Sequence, residues 1–260
     1  MSFAKYLEDD RSILLNRFQM KSIQNNDKEN ENMFENRQSF KFQEPRSIPV
    51  ILLLDTSGSM CANGNIDVLN TAVKEMLKDF ASQNDNNVCI KVAIYKFGPE
   101  AKCVIPLKKA IDAIEEYEDL DADGGTPLGA ALSLVKRELI EDKEAISSRS
   151  YRPTVILVSD GMPNDSWEEA LDDFCNEGRS SKCYRMALAI GSNKGTPTYE
   201  MLTKFAGDEK QVFSADESST IKKFFKYVTI STISRTVSSN PNLIVDKTIE
   251  EMDEEDELKF

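Results

Sequence analysis

The chain has 260 residues, 40% of them hydrophobic, which suits one sizeable domain with extensions or two small domains. A formal net charge of -13 at pH 7 disfavours binding to nucleic acid phosphates and to anionic membrane surfaces. The sequence has no histidine, and its five cysteines include no CxxC pair, so a histidine-ligated zinc site and a disulfide framework are not expected. With no signal peptide and no apolar run of about 20 residues, we expect a cytoplasmic protein with reduced thiols.

The two ends of the chain differ in composition from its middle. We expect residues 1–47 to form an N-terminal extension, with an amphipathic helix over 1–20 and a polar, flexible linker over 21–39. The C-terminal segment, 236–260, ends in an acidic tail, because residues 246–260 hold eight carboxylates and only two lysines. Such a run of charge is typical of a solvated or interacting segment.

The pattern from residue 48 to residue 235 predicts a single domain in which strands alternate with helices. Apolar runs predict strands at 50–54, 88–97, 101–105, 154–159, 184–190 and 211–213. Apolar residues at every third or fourth position predict helices at 66–80, 110–117, 127–140, 198–206 and 218–233. One more helix is expected after Asp165, which would cap it together with Glu168. The alternation predicts an α/β fold of the Rossmann-like, doubly wound type, with a mostly parallel sheet and helices on both faces.

Polar side chains follow the first predicted strand at alternating positions. In an extended segment, residues two apart point the same way, so Asp55, Ser57 and Ser59 are expected to converge on one point. Gly58 allows the backbone to turn between the two serines without steric cost. One carboxylate and two hydroxyls are hard oxygen ligands, which suit Mg²⁺ or Mn²⁺ better than zinc or copper.

Two further motifs fall at the same expected edge of the sheet. Thr126 precedes Pro127, which fits the first position of a helix, so Thr126 is predicted to be the N-cap residue. Asp160 directly follows the buried strand at 154–159. Because ligands bind outside the carboxyl ends of strands in such sheets, Thr126 and Asp160 are expected to lie near the candidate metal ligands that follow the first strand. The alternative is an Asx-type turn with two ordinary helix caps.

The motifs DTSGS at 55–59, GGTPLG at 124–129 and SDG at 159–161 resemble, in this order, the metal-ion-dependent adhesion site of von Willebrand factor A (VWA) domains. The resemblance covers residues 48–235. It implies that Ser57, Ser59 and Thr126 supply hydroxyl ligands, while Asp55 and Asp160 act through water. Within the family, the chain looks most like stand-alone bacterial VWA proteins of the tellurite-resistance type.

The resemblance implies a protein-interaction module in which the metal captures an Asp or Glu of a partner protein. It also implies a bacterial stress-response or defence complex, in which the partner is a kinase or a phosphatase. The alternatives are a Mg²⁺-dependent phosphohydrolase and a regulatory subunit of a kinase–phosphatase or ATPase-linked assembly. Against catalysis, Ser57 stands where an aspartyl-phosphate phosphatase would have a second Asp, and the sequence has neither a P-loop nor a histidine base. We therefore expect no catalytic residues.

Three nearby features are expected to be structural. Thr196, before Pro197, imitates the Thr126 motif but is predicted to be a simple helix cap. Trp167 is expected to pack on the first turn of its helix. Cys61, close to the metal loop, is expected to be a passive small residue.

Overall fold

A six-stranded sheet lies at the centre of the computed structural model, which describes residues 45–83 and 88–242. The strands are β1 (Arg46–Asp55), β2 (Val88–Phe97), β3 (Ala101–Lys109), β4 (Thr154–Ser159), β5 (Tyr184–Ile190) and β6 (Val212–Ala215). Their spatial order is β3-β2-β1-β4-β5-β6, and every neighbouring pair is parallel except β2 with β3. The predicted mostly parallel α/β fold is therefore confirmed. The helix predicted at 1–20, the linker at 21–39 and the acidic tail lie outside the described residues.

Helices follow the strands along the chain. They are α1 (Asn65–Ser82), α2 (Ala110–Glu116), α3 (Leu128–Val135), α4 (Trp167–Asn176), α5 (Pro197–Ala206) and α6 (Ser218–Val237). An irregular 3-10 segment, Gly58–Gly64, leads from β1 into α1. No helix of the described ranges is long and apolar enough to cross a bilayer.

Strand β1 separates two apolar cores, because its successive side chains point to opposite faces of the sheet. Leu52 and Leu54 pack in the core formed with α1, α2 and α6. Ile51 and Leu53 pack in the other core, formed with α3, α4 and α5. All four side chains have no solvent exposure, as expected of a central parallel strand with helices on both faces.

The helix predicted at 127–140 differs from the prediction at both ends. Pro127 is the residue before α3 rather than its first helical residue, with φ -80° and ψ 66°. The Leu128 amide donates to the Thr126 carbonyl at 2.9 Å, which closes a γ-turn centred on Pro127. Thr126 is therefore not the N-cap of α3, and that prediction is wrong. At the other end, residues Lys136–Ile140 continue as a π-helical turn.

The predicted capping box at Asp165 is also wrong. The N-cap of α4 is Ser166, whose side chain makes no capping hydrogen bond. The Asp165 carboxylate instead accepts hydrogen bonds from the amides of Gly129 and Ala130, at 3.1 and 2.9 Å. Asp165 thus satisfies donors at the N-terminus of α3, the preceding helix, where a negative charge also complements the helix dipole.

The topology places the strand ends of interest side by side. From β1 the chain builds β2 and β3 on one side, then crosses back so that β4 pairs with the other side of β1. The reversal of strand order therefore lies between β1 and β4. In open α/β sheets this switch point leaves a crevice at the carboxyl ends of the strands. Asp55 ends β1, and Asp160 follows β4 directly, so both lie at the crevice.

Candidate metal centre

Asp55 forms the floor of the crevice and has no solvent exposure. Its Oδ1 accepts a hydrogen bond from the Ser57 amide at 2.8 Å, and its Oδ2 accepts one from Ser159 Oγ at 2.6 Å. Both carboxylate oxygens are therefore held by neighbouring donors. Ser159 is the last residue of β4, so this hydrogen bond also joins the carboxyl ends of β1 and β4.

Above Asp55, a chain of hydrogen-bonded side-chain oxygen atoms runs from Ser57 to Asp160. Ser57 Oγ lies 3.0 Å from Ser59 Oγ, and Ser59 Oγ donates to Asp160 Oδ1 at 2.8 Å. Ser57 is buried whereas Ser59 is exposed, so the chain runs from the interior to the surface. The predicted convergence of residues 55, 57 and 59 is thus observed, and Asp160 joins them.

Thr126 reaches the same loop through its backbone neighbours. The Asp123 amide donates to the Thr56 carbonyl at 2.8 Å, and the Gly58 amide donates to the Gly124 carbonyl at 3.1 Å. These two bonds fix the segment before α3 against the turn between the serines. Thr126 itself is only 8% exposed. The structure therefore brings four predicted site residues together by side-chain hydrogen bonds and places the fifth beside them by backbone bonds.

Asn164 holds Thr126 in place, a role that the sequence did not reveal. The Asn164 side-chain Oδ1 accepts a hydrogen bond from the Thr126 backbone amide, and the Asn164 backbone amide donates to the Thr126 carbonyl, both at 3.1 Å. The signal for this contact was weak, since Asn164 sits in a Pro-Asn-Asp turn that reads as an ordinary loop. Ser159 was likewise treated only as a strand residue, although it lies in the SDG motif.

Close backbone packing at the site requires glycine at two positions. A Cβ atom on Gly98 would lie 2.5 Å from Thr56 Oγ1 and 2.9 Å from the Asp123 carbonyl oxygen. Gly124 has a positive φ of 74°, and a Cβ there would lie 2.7 Å from Pro99. The turn after β2 therefore packs closely against the segments that contain Thr56 and Gly124. It lies on the side of β1 away from β4.

The two carboxylates are in an unfavourable electrostatic position. Burial raises the pKa of Asp55 to about 6, although hydrogen bonds from Ser159 and Ser57 oppose the shift. Burial also raises the pKa of Asp160, against a hydrogen bond from Ser59. The ion pairs formed within the described ranges include neither residue. The arrangement can accept a cation, which would offset the cost of two partly desolvated negative charges.

The donor set determines which cations fit. Among residues 45–83 and 88–242, no group of three or more Cys, Asp or Glu side chains could hold a metal ion. The crevice instead offers hydroxyl and carboxylate oxygens, which suit hard cations such as Mg²⁺ and Mn²⁺.

The neighbouring features have structural explanations. Thr196 caps α5, because its Oγ1 accepts from the Tyr199 amide at 3.3 Å, as predicted. Trp167 is half-buried and packs against the core under α4. Cys61 is exposed, with its Sγ 3.5 Å from the Ala122 carbonyl oxygen.

Comparison with known proteins places these features in context. Residues 50–227 match the model of the von Willebrand factor type A domain. The protein Rv2850c of Mycobacterium tuberculosis is 28% identical over 114 residues, which are 43% of this chain and 17% of that protein. This chain therefore spans less than a fifth of that relative.

Solved structures share the fold at low sequence identity. The von Willebrand factor domain of the pilus tip protein Mfa5 from Porphyromonas gingivalis has a TM-score of 0.57 at 11% identity, covering 78% of this chain and 99% of that one. The proximal thread matrix protein 1 of the mussel byssus has a TM-score of 0.53 at 20% identity, covering 72% and 45%. That mussel structure is described as having a zinc-occupied MIDAS motif, where MIDAS stands for metal-ion-dependent adhesion site.

Proposed function

This chain belongs to the von Willebrand factor type A domain family, and on that premise we propose that it is a metal-dependent module that binds another protein. The metal is Mg²⁺, for which Mn²⁺ can substitute. Ser57, Ser59 and Thr126 supply hydroxyl ligands, and Asp55 and Asp160 supply negative charge behind them. The observation that carries the proposal is the convergence of these side chains: the buried Asp55 carboxylate accepts the Ser57 backbone amide, and hydroxyl hydrogen bonds run from Ser57 through Ser59 to Asp160.

The spacing of the two serine hydroxyls, which are hydrogen-bonded to each other, is compatible with a small octahedral cation. The two serine Oγ atoms, of Ser57 and Ser59, lie 3.0 Å apart. Neighbouring ligands of Mg²⁺, at about 2.1 Å from the ion, lie about 3.0 Å apart in an octahedron. Ligands of Ca²⁺, at about 2.4 Å, would lie about 3.4 Å apart in the same geometry. The serine pair therefore needs little movement to accept Mg²⁺.

The positions of the charges favour an external carboxylate. Both oxygens of Asp55 accept hydrogen bonds, and Asp160 accepts the Ser59 hydroxyl proton. A cation held by neutral hydroxyls keeps its charge largely uncompensated among its direct ligands, because these two carboxylates act through hydrogen bonds. Mg²⁺ retains water where the protein supplies few ligands, and such a position is open to an Asp or Glu of a partner.

The same contacts argue against phosphoryl transfer to the chain. An aspartyl nucleophile needs a carboxylate oxygen that can reach phosphorus, whereas Asp55 is fully buried with both oxygens hydrogen-bonded. Incubation with generic phosphate and carboxyl esters in Mg²⁺ should give no turnover. Turnover that disappears in Asp55→Ala would favour the phosphohydrolase instead.

The biological setting is part of the proposal. No disulfide joins the five cysteines, all of which lie within the described ranges, and this supports a reducing compartment such as the cytoplasm. The resemblance to tellurite-resistance-type proteins supports a kinase or phosphatase as partner, in a stress-response or defence complex.

The test uses the metal first and the partner second. Mn²⁺ binding to the full chain, followed by electron paramagnetic resonance, should give a bound signal that Mg²⁺ displaces. Ser57→Ala and Ser59→Ala should abolish this signal, whereas Thr56→Val, which alters the buried residue between Asp55 and Ser57, should keep it. Immobilised wild-type chain and Thr56→Val should then retain a partner from the source cells in Mg²⁺ and release it in EDTA, whereas Ser57→Ala should retain none.

Metal and partner should also bind cooperatively, because a partner carboxylate completes the coordination shell. Each should tighten the binding of the other by the same factor. Binding of the partner that is equally strong in EDTA and to Asp55→Ala would show that the crevice is not the recognition surface.

A further inference from the structure

A cluster of basic side chains lies at the opposite edge of the sheet from the metal centre. We call it the arginine face and define it as Arg46, Arg152, Lys182 and Arg235. Arg46 is the first residue of β1, and Arg152 lies two residues before β4, so both lie at the amino ends of central strands. Arg46, Arg152 and Lys182 are exposed. The face stands out because the whole chain carries a net charge of -13.

Backbone carbonyls hold these cations in place. Arg46 Nε donates to the Arg149 carbonyl at 2.7 Å, and Arg152 Nε donates to the Lys182 carbonyl at 2.8 Å. Arg46 also stacks over the Tyr151 ring, with its Cζ 4.0 Å from the ring centroid. Neutral acceptors position a guanidinium but do not compensate its charge.

Arg235, on α6, lies beneath these side chains and is only 3% exposed. It donates to the carbonyls of Arg152 and Pro241, at 2.7 Å each, and to Thr154 Oγ1 at 2.8 Å. Burial lowers the pKa of Arg235 to about 10, and the nearby charge of Arg152 adds to this shift. All three acceptors are neutral, so a positive charge is buried directly under an exposed one.

No carboxylate of the described ranges forms an ion pair with an arginine of the arginine face. The ion pairs among residues 45–83 and 88–242 include none of Arg46, Arg152 and Arg235. Buried or clustered charge without compensation is costly, so an acidic segment that covered this face would stabilise the domain.

The described part of the chain ends at this face. Asn242 Oδ1 accepts a hydrogen bond from the Arg152 amide at 2.8 Å, one residue after Pro241 binds Arg235. The chain continues from there into residues 246–260, with eight carboxylates against two lysines. We propose that this acidic C-terminal segment docks on the arginine face of its own chain.

Distance and charge both favour this occupant. The densest acidic run, 250–257, begins eight residues beyond Asn242. At up to about 3.5 Å per residue, that spacer is long enough for the run to fold back across the face. A short tether raises the effective concentration of the segment to the millimolar range. The N-terminal segment 1–44, which precedes the face, carries eight negative and seven positive charges, so it has little such complementarity.

Docking of the acidic segment would give the two ends of the sheet different roles. The segment would compensate the arginines at the amino ends of the strands, where carboxylates can form bidentate pairs with guanidinium groups. The metal centre at the carboxyl ends would stay open to its partner. The inference does not depend on the metal, so its test can be carried out in EDTA.

Zero-length carbodiimide coupling of the full chain, read by mass spectrometry, tests the proposal. A carboxylate of residues 246–260 should couple to Lys182, the exposed amine of the arginine face. It should couple several-fold less to Lys222, which lies in the groove between α1 and α6 with other lysines. Coupling to Lys182 should fall several-fold in Arg46→Glu and in Arg152→Glu, and also in 1 M salt, where the Debye length is about 3 Å.

Arg137→Glu is the matched control, since Arg137 is exposed and lies outside the arginine face beside Glu138. It should leave the coupling to Lys182 unchanged. Arg152→Glu removes hydrogen bonds to the carbonyls of Lys182 and Cys183, just before β5, so the melting temperature of this variant is measured. If Arg152→Glu unfolds, Arg46→Glu alone decides the test. Coupling that favours Lys222, or that is equal in Arg46→Glu and wild type, would overturn the proposal. A mixture of light and heavy chains that couples only between chains would overturn it too.

Discussion

Ser59 Oγ donates a 2.8 Å hydrogen bond to Asp160 Oδ1, across 101 positions of sequence. Ser59 belongs to the 3-10 segment after β1, and Asp160 follows β4. The bond therefore spans the point where the strand order of the sheet reverses. It also gives the proton of the Ser59 hydroxyl an acceptor, which leaves a lone pair of that oxygen for a cation. In the proposed metal centre, Asp160 would therefore act on a bound cation through Ser59.

Asp160→Asn should weaken metal binding without unfolding the domain. The substitution removes a negative charge and leaves Ser59 with a weaker acceptor for its proton. Loss of such an outer partner typically costs about 10- to 100-fold in metal affinity. Titration with Mn²⁺, followed by electron paramagnetic resonance, measures the change.

Asp121→Asn is the control for this substitution. Asp121 is exposed in the segment before α3, and its substitution by Asn changes the net charge by the same amount as Asp160→Asn. Equal weakening by both substitutions would mean that long-range charge, rather than the Ser59 hydrogen bond, gives Asp160 its effect.

The central architecture was predictable because burial leaves a periodic pattern. Residues Val50 to Leu54 form an unbroken apolar run, and such a run indicates a strand covered on both faces. The start of β1 at Arg46 and the end of β3 at Lys109 were missed, since charged residues at strand ends interrupt that pattern. The convergence of Asp55, Ser57 and Ser59 followed from the two-residue repeat of an extended chain.

Contacts between segments distant in sequence were not predictable. Asp165 was expected to cap the helix that follows it, because capping boxes are local patterns. The structure shows that Asp165 caps α3, 36 residues earlier in the chain, since folding brings the loop after β4 against that helix. Asn164 holds Thr126 in the same way, at a separation of 38 residues. The local spacing of residues in the sequence does not indicate either of these two contacts.

Asp55→Asn should stabilise the metal-free domain at neutral pH. The folded pKa of Asp55, about 6, lies above the ordinary value of 3.8, so folding disfavours the ionised form. The stability contributed by Asp55 is therefore complete below about pH 3.8 and is lost as pH rises through about 6. A shift of this size corresponds to about 3 kcal/mol. We expect a gain of about 2 kcal/mol, because Asn loses charge-assisted hydrogen bonds.

Urea unfolding in EDTA at pH 7.5 and at pH 4 measures this difference. The advantage of Asp55→Asn over the wild type should be clear at pH 7.5 and should shrink at pH 4. Addition of Mg²⁺ at pH 7.5 should stabilise the wild type, as any ligand of the folded state does, but not the variant. A variant that is less stable than the wild type at pH 7.5 in EDTA would show that the hydrogen bonds outweigh the buried charge.

Thr56→Val should be neutral or stabilising. Thr56 has no solvent exposure, and its Oγ1 is a buried side-chain atom without a hydrogen-bond partner in the described part of the chain. Valine has nearly the same shape and removes this unsatisfied group, whose desolvation costs about 1–3 kcal/mol. Thermal unfolding in EDTA measures the effect. A loss of more than about 1 kcal/mol would mean that the hydroxyl has a stabilising role.

Arg235→Met should destabilise the domain at the edge of the sheet opposite the candidate metal centre. Methionine fills a similar length but leaves the Thr154 hydroxyl and the carbonyls of Arg152 and Pro241 without their donor. Relief of the buried positive charge offsets part of this loss, so we expect a net cost of about 1–3 kcal/mol in urea unfolding. Amide hydrogen exchange should quicken first in residues 238–242, which Arg235 joins to the start of β4. Thr154→Val, which removes only one acceptor, should cost less than Arg235→Met. Equal stability of Arg235→Met and wild type would mean that the cost of burying the charge cancels all three hydrogen bonds.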